Sequence, residues 1–154
     1  MVELRIAEQA DIAELAKLER ELFSDAWSEK MLMDCLSQKH YRILVGVDET
    51  ACVAGYIIST HVADEAEVLR VGVSPMRRRR GIGRSLLLGF ARLCDELGTP
   101  NAFLEVRASN GAAIALYEKS GFQVTGTRKN YYHQPDEDAC LMAGEISTAA
   151  SGGL

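Results

Sequence analysis

The apolar positions of the chain change period several times along its length, and the changes mark out its elements. Residues 2–7 alternate as a strand does, with every second side chain on one face. Ile12, Leu15, Ala16 and Leu22 then recur at helical spacing with Asp11 near the start, and 31–36 form a shorter helical stretch. Ser28 is its expected N-cap, because its hydroxyl can accept from an orphan backbone N–H. Two β-rich runs, 41–47 and 52–61, are separated by Asp48-Glu49-Thr50-Ala51, a spacing that suits an antiparallel hairpin. Residues 68–73 read as the next strand, closed by Pro75. Ile82, Leu86, Phe90, Leu93 and Leu97 lie on one face of a long helix, which Gly98 and Pro100 stop. Residues 102–108 read as a strand, 110–120 as a helix capped by Ser109 or Asn110, and 122–127 and 139–146 complete the β set.

The resulting order, βααβββαβαββ, has antiparallel strands first and β-α-β connections later. It predicts an α/β fold of the α+β kind, with a mixed, mostly antiparallel central sheet flanked by helices on both faces, since each element must bury its apolar side against another layer. Ligands are then expected at strand ends. One domain is expected over 1–146, followed by a flexible tail, 147–154, whose small and polar residues cannot bury enough surface to order themselves.

Composition narrows the function classes. The 154 residues are 47% hydrophobic and 25% charged, which suits one soluble domain with a real core. A balance of 17 basic against 22 acidic residues, net −5, argues against a general attraction to nucleic acid, so any anion site must be local. The chain has no apolar run long enough to span a membrane and no signal-peptide pattern, and a cytoplasmic, monomeric protein without membrane partners is expected. Cys35, Cys52, Cys94 and Cys140 stand far apart without a Cys-x-x-Cys pair, and are expected as reduced, mostly buried thiols. His40, His61 and His133 show no metal-ligand spacing, and no metal is expected.

The local anion site has one strong candidate. A strand, a Gly-x-Gly turn and a helix start can hold phosphates, because the first helical N–H groups lack partners and the helix dipole is positive there. Arg77, Arg78, Arg79, Arg80 and Arg84 surround Gly81, Ile82 and Gly83, adding guanidinium groups that can pair with a pyrophosphate and a third phosphate. The blander reading is a glycine-bearing helix start beside a solvated basic run. The nucleotide-triphosphatase loop is absent, and a dinucleotide fingerprint would need a glycine where Leu86 stands.

The run from Arg78 to Gly83 resembles the Gln/Arg-x-x-Gly-x-Gly/Ala cofactor motif of the GNAT (GCN5-related N-acetyltransferase) superfamily. The segments LEVRASN (104–110), AIALYE (113–118), Gly121-Phe122, RKNYY (128–132) and EDA (137–139), with Trp27-Ser28, are similar to the RimI-type ribosomal-protein-alanine acetyltransferases within it. The resemblance spans about residues 2–146. It implies the GNAT fold, acetyl-CoA as cosubstrate, and an N-terminal peptide of a ribosomal protein, beginning with alanine, as acceptor. Broader N-terminal or lysine acceptors are the nearest alternatives, and a non-catalytic acetyl-CoA sensor is a third.

Acetyl transfer to an amine needs the amine neutral, and an N-terminal ammonium has a pKa near 8, so a modest base suffices. Glu105 is the candidate, a carboxylate in a largely apolar strand that shares a face with Phe103 and Arg107. Its residues alone leave open a simple pairing with Arg107, and the resemblance favours the base. The same resemblance implies Tyr117 as proton donor to the departing thiolate, although Tyr117 also lies on a core stripe with Ala113 and Leu116. It implies that backbone groups of Val71, Gly72 and Val73 bind the thioester and pantetheine arm. It adds a cofactor contact for Asn110, which the residues alone make an N-cap, and it makes Tyr131 and Tyr132, in an expected polar loop, a wall of the peptide slot. Many bacterial members are expected to carry Asn-Ile-Ala-Val where this chain has Arg70-Val71-Gly72-Val73, which places Arg70 among the candidate substrate residues.

Overall fold

The computed structural model describes residues 2–149. Seven strands and four helices follow the expected order: β1 (Glu3–Ile6), α1 (Ile12–Leu22), α2 (Glu29–Ser37), β2 (Tyr41–Val47), β3 (Val53–Val62), β4 (Glu65–Val73), α3 (Ile82–Leu97), β5 (Asn101–Arg107), α4 (Gly111–Lys119), β6 (Gln123–Tyr132) and β7 (Glu137–Glu145). They form one sheet in the order β1-β2-β3-β4-β5-β7-β6. All neighbours are antiparallel except β4 and β5, which α3 joins as a crossover. This is the expected mixed, mostly antiparallel α/β sheet.

The two faces carry separate cores. Leu86, Phe90 and Cys94 of α3 bury against Ala54, Ile57, Val68 and Leu104, with Tyr117 of α4 and Phe122 closing that side. Leu15 and Ala16 of α1 and Leu32 of α2 bury against Ile43, Val45, Tyr56 and Ile58 on the other. The alternation of β2 and β3 is muted for this reason: a strand covered on both faces is apolar at consecutive positions.

Several ends are set by local chemistry. The Ser28 hydroxyl accepts from the Met31 amide at 3.2 Å, capping α2 as expected. Gly98, at φ +68, ends α3 in a left-handed turn whose N–H reaches the Cys94 carbonyl. Thr148 is tied to Asp95 through its backbone N–H, at 3.1 Å, and its hydroxyl. Residues 150–154, the remainder of the expected tail, lie outside the described residues.

Three sequence expectations change. Strand β6 runs through 128–132, so Tyr131 and Tyr132 stand at the end of a strand rather than in a loop. It lies at the sheet edge and is exposed almost throughout, so it carries no apolar period to read. Strand β4 begins at Glu65 rather than at 68, its first residues alternating Glu-Ala-Glu-Val with only Ala66 and Val68 buried. Cys35 and Cys94 are buried, but Cys52 and Cys140 are only half-buried; all four are free thiols.

Candidate active site

The site originates in an irregularity of β4. On β3, Ile58 faces Arg70 but the next residue, Ser59, faces Val68, so Leu69 is an extra residue on β4. Such a bulge bends its strand and re-aims the side chains beyond it. Pairing between β4 and β5 stops at Val68 and Leu104, although β4 continues to Val73 and β5 to Arg107. The strands part from that point, and the backbone of Val71, Gly72 and Val73, paired with β3 on one side, is left without a strand partner on the β5 side. A cavity of about 630 Å³ fills the fork.

One end of the cavity is the start of α3. Gly81 is its N-cap, at φ +73, and no side chain caps the helix, so the amides of Ile82, Gly83 and Arg84 keep their donors for a ligand. The two glycines serve different ends. A Cβ on Gly81 would meet nothing within 4 Å, and its demand is the left-handed backbone. A Cβ on Gly83 would fall 2.9 Å from Leu116, so that glycine lets α4 approach α3 beside the cavity. Arg78, Arg79 and Arg84 line the cavity. Arg77 does not; its Nε donates to Asp48 at 2.6 Å. The Asp48 carboxyl, bonded also by the Thr50 hydroxyl and two amides, is held down at about 2. Arg80 is exposed and outside the lining.

Gly72 does not line the cavity either. Its missing side chain faces away, where a Cβ would stand 2.6 Å from the ring of Tyr56, a residue with no exposure. The expected close approach at Gly72 is therefore that of Tyr56. Gly72→Ala should cost ~1–3 kcal/mol of stability by overpacking, read as a lowered thermal midpoint; an unchanged midpoint would remove this account of Gly72.

Glu105 stands where the strands part and lines both this cavity and a second one of about 550 Å³. Its carboxylate pairs with Arg128 of β6 at 3.3 Å and, with burial, raises the nearby Tyr131 phenol above its usual pKa. The alternative pairing with Arg107 is not found: Arg107 pairs with Glu137 at 3.4 Å. Glu67 of β4 also lines the second cavity, and burial together with Glu105 raises its carboxyl above the usual carboxylate range. The sequence reading missed Glu67, because its polar alternation stood ahead of the apolar run taken as the strand.

Tyr117 reaches the cavity from α4. Its ring packs edge-on against Phe122 at 5.9 Å, and burial drives its pKa upward, so the phenol keeps its proton at neutral pH. Core packing and cavity lining thus coexist in one residue. Asn110 likewise does both: its side chain accepts from the Ala113 amide at 3.2 Å as the N-cap of α4, and it faces the cavity.

The walls beyond the fork are held by two arginines. Arg107 donates to the carbonyls of His133 and Pro135 in the β6–β7 turn and lies 4.5 Å over the Tyr132 ring. Burial, with Glu105 next, pushes the Tyr132 phenol up to about 12. Arg70 is engaged with Glu19 and Asp25 of the α1–α2 region, and touches both cavities. The second cavity lies between these walls, lined by Asp25, Trp27, Glu67, Tyr131 and Tyr132 among others. Among the described residues, no group of three His, Cys, Asp or Glu could hold a metal ion, and no helix is long and apolar enough to cross a membrane.

The sequence model of the acetyltransferase (GNAT) family matches residues 11–122. Over 149 residues the chain is 38% identical to the ribosomal protein bS18-alanine N-acetyltransferase of Salmonella typhimurium, covering 94% of this chain and 97% of that protein. It is 36% identical over 140 residues to the N-alpha-acetyltransferase RimI of Mycobacterium tuberculosis, covering 87% and 86% of the two chains. The crystal structure of the ribosomal-protein-S18-alanine N-acetyltransferase from Escherichia coli superimposes with a TM-score of 0.86 at 34% identity, covering 96% of this chain and 95% of that one.

Proposed function

This chain belongs to the acetyltransferase (GNAT) family and is an acetyl-CoA-dependent N-acetyltransferase, and on that premise we propose that its acceptor is the N-terminal α-amino group of a ribosomal protein beginning with alanine, bS18 or its counterpart. The observation that carries the reading is the forked cavity itself. It joins an uncapped, arginine-flanked helix start to a carboxylate, and the carboxylate opens in turn on an aromatic slot. Similarity to bS18-alanine acetyltransferases over nearly the whole chain supports the acceptor.

Bound acetyl-CoA supplies the thioester-activated acetyl group. In the proposed assignment, the amides of Ile82, Gly83 and Arg84, with Arg78 and Arg79, hold the phosphates, where charge-assisted bonds to guanidinium groups are the strong ones. The parted backbone at Val71–Val73 holds the pantetheine arm and thioester by strand-like hydrogen bonds. Asn110 adds a contact at the start of α4. Glu105 takes the proton of the acceptor's ammonium, directly or through a water. Tyr117 donates its phenolic proton to the sulfur as the carbon–sulfur bond breaks, and Tyr131 and Tyr132 wall the peptide. Fit to acetyl-CoA rests on the unspent helix-start donors and a cavity within the ~300–1,000 Å³ common for small-molecule sites.

Two measurements test the reading. Peptides differing only in their first residue, incubated with labelled acetyl-CoA, should carry the label on the α-amine of the alanine peptide; labelling confined to internal lysines would overturn the acceptor assignment. Replacing Arg78 and Arg79 together with Gln should raise KM for acetyl-CoA by ~10–100-fold and leave KM for the peptide nearly unchanged. An unaltered KM for acetyl-CoA at low ionic strength counts against the phosphate role.

A further inference from the structure

Arg70 is a charged side chain of the central strand that points away from the phosphate end of the cavity and is largely withdrawn from solvent, its side chain 11% exposed. Its charge is fully engaged. Its Nη2 lies 3.1 Å from the Glu19 carboxylate and 3.1 Å from that of Asp25, and donates to the Asp25 carbonyl at 2.8 Å. Its Cζ lies 4.1 Å from the Phe23 ring centroid and 5.3 Å from that of Trp27. Glu19 has no exposure, receives the Tyr56 hydroxyl, and accepts the Trp27 backbone N–H at 2.9 Å. Every one of these partners outside β3 belongs to α1 or to residues 23–28, the link between α1 and α2. That link, through Phe23, Ser24, Asp25 and Trp27, borders both cavities.

We infer that Arg70 is a positioning residue for acceptor recognition, clamping residues 23–28 against β4 so that one wall of the peptide slot is formed before the peptide arrives. The inference rests on the reading of the second cavity as the acceptor slot. Its physical basis is preorganisation: a short link between helices loses conformational entropy when a ligand orders it, and a wall already held by a guanidinium that bonds Glu19 and Asp25 and lies over two aromatic rings spares that loss at binding. The extra residue at Leu69 is what allows it. The bulge turns Arg70 toward α1 while Val71 and Val73 return to the opposite core. Arg70 therefore does not need to touch the peptide to set its affinity.

The test uses Arg70→Asn, Arg70→Lys and Asp25→Ala, the last breaking the clamp at its exposed end without leaving the buried Glu19 unpaired. In Arg70→Asn, KM for an alanine-terminated peptide should rise ~10-fold or more with KM for acetyl-CoA within about twofold, and kcat at saturating peptide should change less than KM does. Asp25→Ala should shift peptide KM in the same direction. Arg70→Lys should not rescue, since an ammonium keeps the charge but neither the fork nor the stacking. Trp27 is the single tryptophan of the chain and sits in the clamped link, so its fluorescence gives a readout independent of turnover. Acrylamide quenching should rise in Arg70→Asn and fall back when peptide is added, while the wild type is little quenched with or without peptide. Peptide KM unchanged in all three variants, or equal increases in KM for peptide and for acetyl-CoA, would overturn the clamp. An inactive wild type with well-shielded Trp27 would instead strike the acceptor reading and leave the clamp standing as a fold element.

Discussion

Glu105→Gln is expected to lower kcat/KM toward an alanine-terminated peptide by ~10²–10⁴-fold near pH 7, the range that a positioned general base contributes. The amide keeps the size of the side chain and can still meet Arg128, so the fork between β4 and β5 should persist. What is lost is the proton acceptor at the point where the acceptor's ammonium arrives. The deficit should shrink as pH rises past the amine's own pKa, about 8, because the peptide then arrives neutral and needs no base. A wild-type rate, or a deficit of constant size across that range, would remove Glu105 from the role. Glu67 supplies the control for a shared role: it lines the second cavity, and burial together with Glu105 raises its carboxyl pKa. If Glu67→Gln loses as much as Glu105→Gln and the double variant loses no more than either, the two carboxylates act as a unit.

Tyr117→Phe should cost ~10²-fold or more in kcat while the affinity for acetyl-CoA holds. The phenylalanine ring preserves the edge-on packing against Phe122 and the seal of the core under α4, so a folding defect is not expected. The phenol is buried and kept protonated by its surroundings, which is the state a donor must be in before the thiolate leaves. Acetyl thioesters whose thiols are more acidic than that of coenzyme A should narrow the deficit, since a better leaving group needs less help. Equal rates for Tyr117→Phe and the wild type would return Tyr117 to a purely structural role.

Much of the site was legible because its chemistry is local in the chain. The helix start at Gly81–Gly83, the Ser28 and Asn110 caps, and the carboxylate in the apolar strand 102–108 each depend on neighbours a few residues away, and the structure places them as the residues suggested. The cavity collects Arg78, Arg79, Arg84, Glu105, Asn110 and Tyr117 from four separate segments, all of them candidates on the sequence alone. Arg77 and Arg80 are candidates on the same ground, but the arginine run cannot say which of its members meets Asp48 across the hairpin turn and which faces water.

Arg70 and Gly72 show the limit most clearly. Both differ from the expected Asn-Ile-Ala-Val of the central strand, and as neighbours in the chain they suggested changes at the ligand. In space they belong to one buried arrangement on the opposite side of the sheet: Tyr56 occupies the room a side chain at Gly72 would take, its hydroxyl donates to Glu19, and Glu19 holds Arg70. That arrangement joins residues up to 51 positions apart, and it depends on a one-residue bulge that has no signature in the hydrophobic pattern.

The order of elements, the two apolar faces of the sheet, the uncapped glycine-bearing helix start and the family were determined by the sequence alone, because period, caps and glycine turns act over one or two helical turns of chain. Only the tertiary structure decided where β4 and β5 part, that Glu105 meets Arg128 rather than Arg107, and that Glu67 joins it. It alone decided, too, that Arg70 meets Glu19 and Asp25 of the α1–α2 region. Those outcomes follow from strand register and from charges buried between distant segments, where the partner of a side chain is chosen by three-dimensional packing and desolvation, not by spacing along the chain.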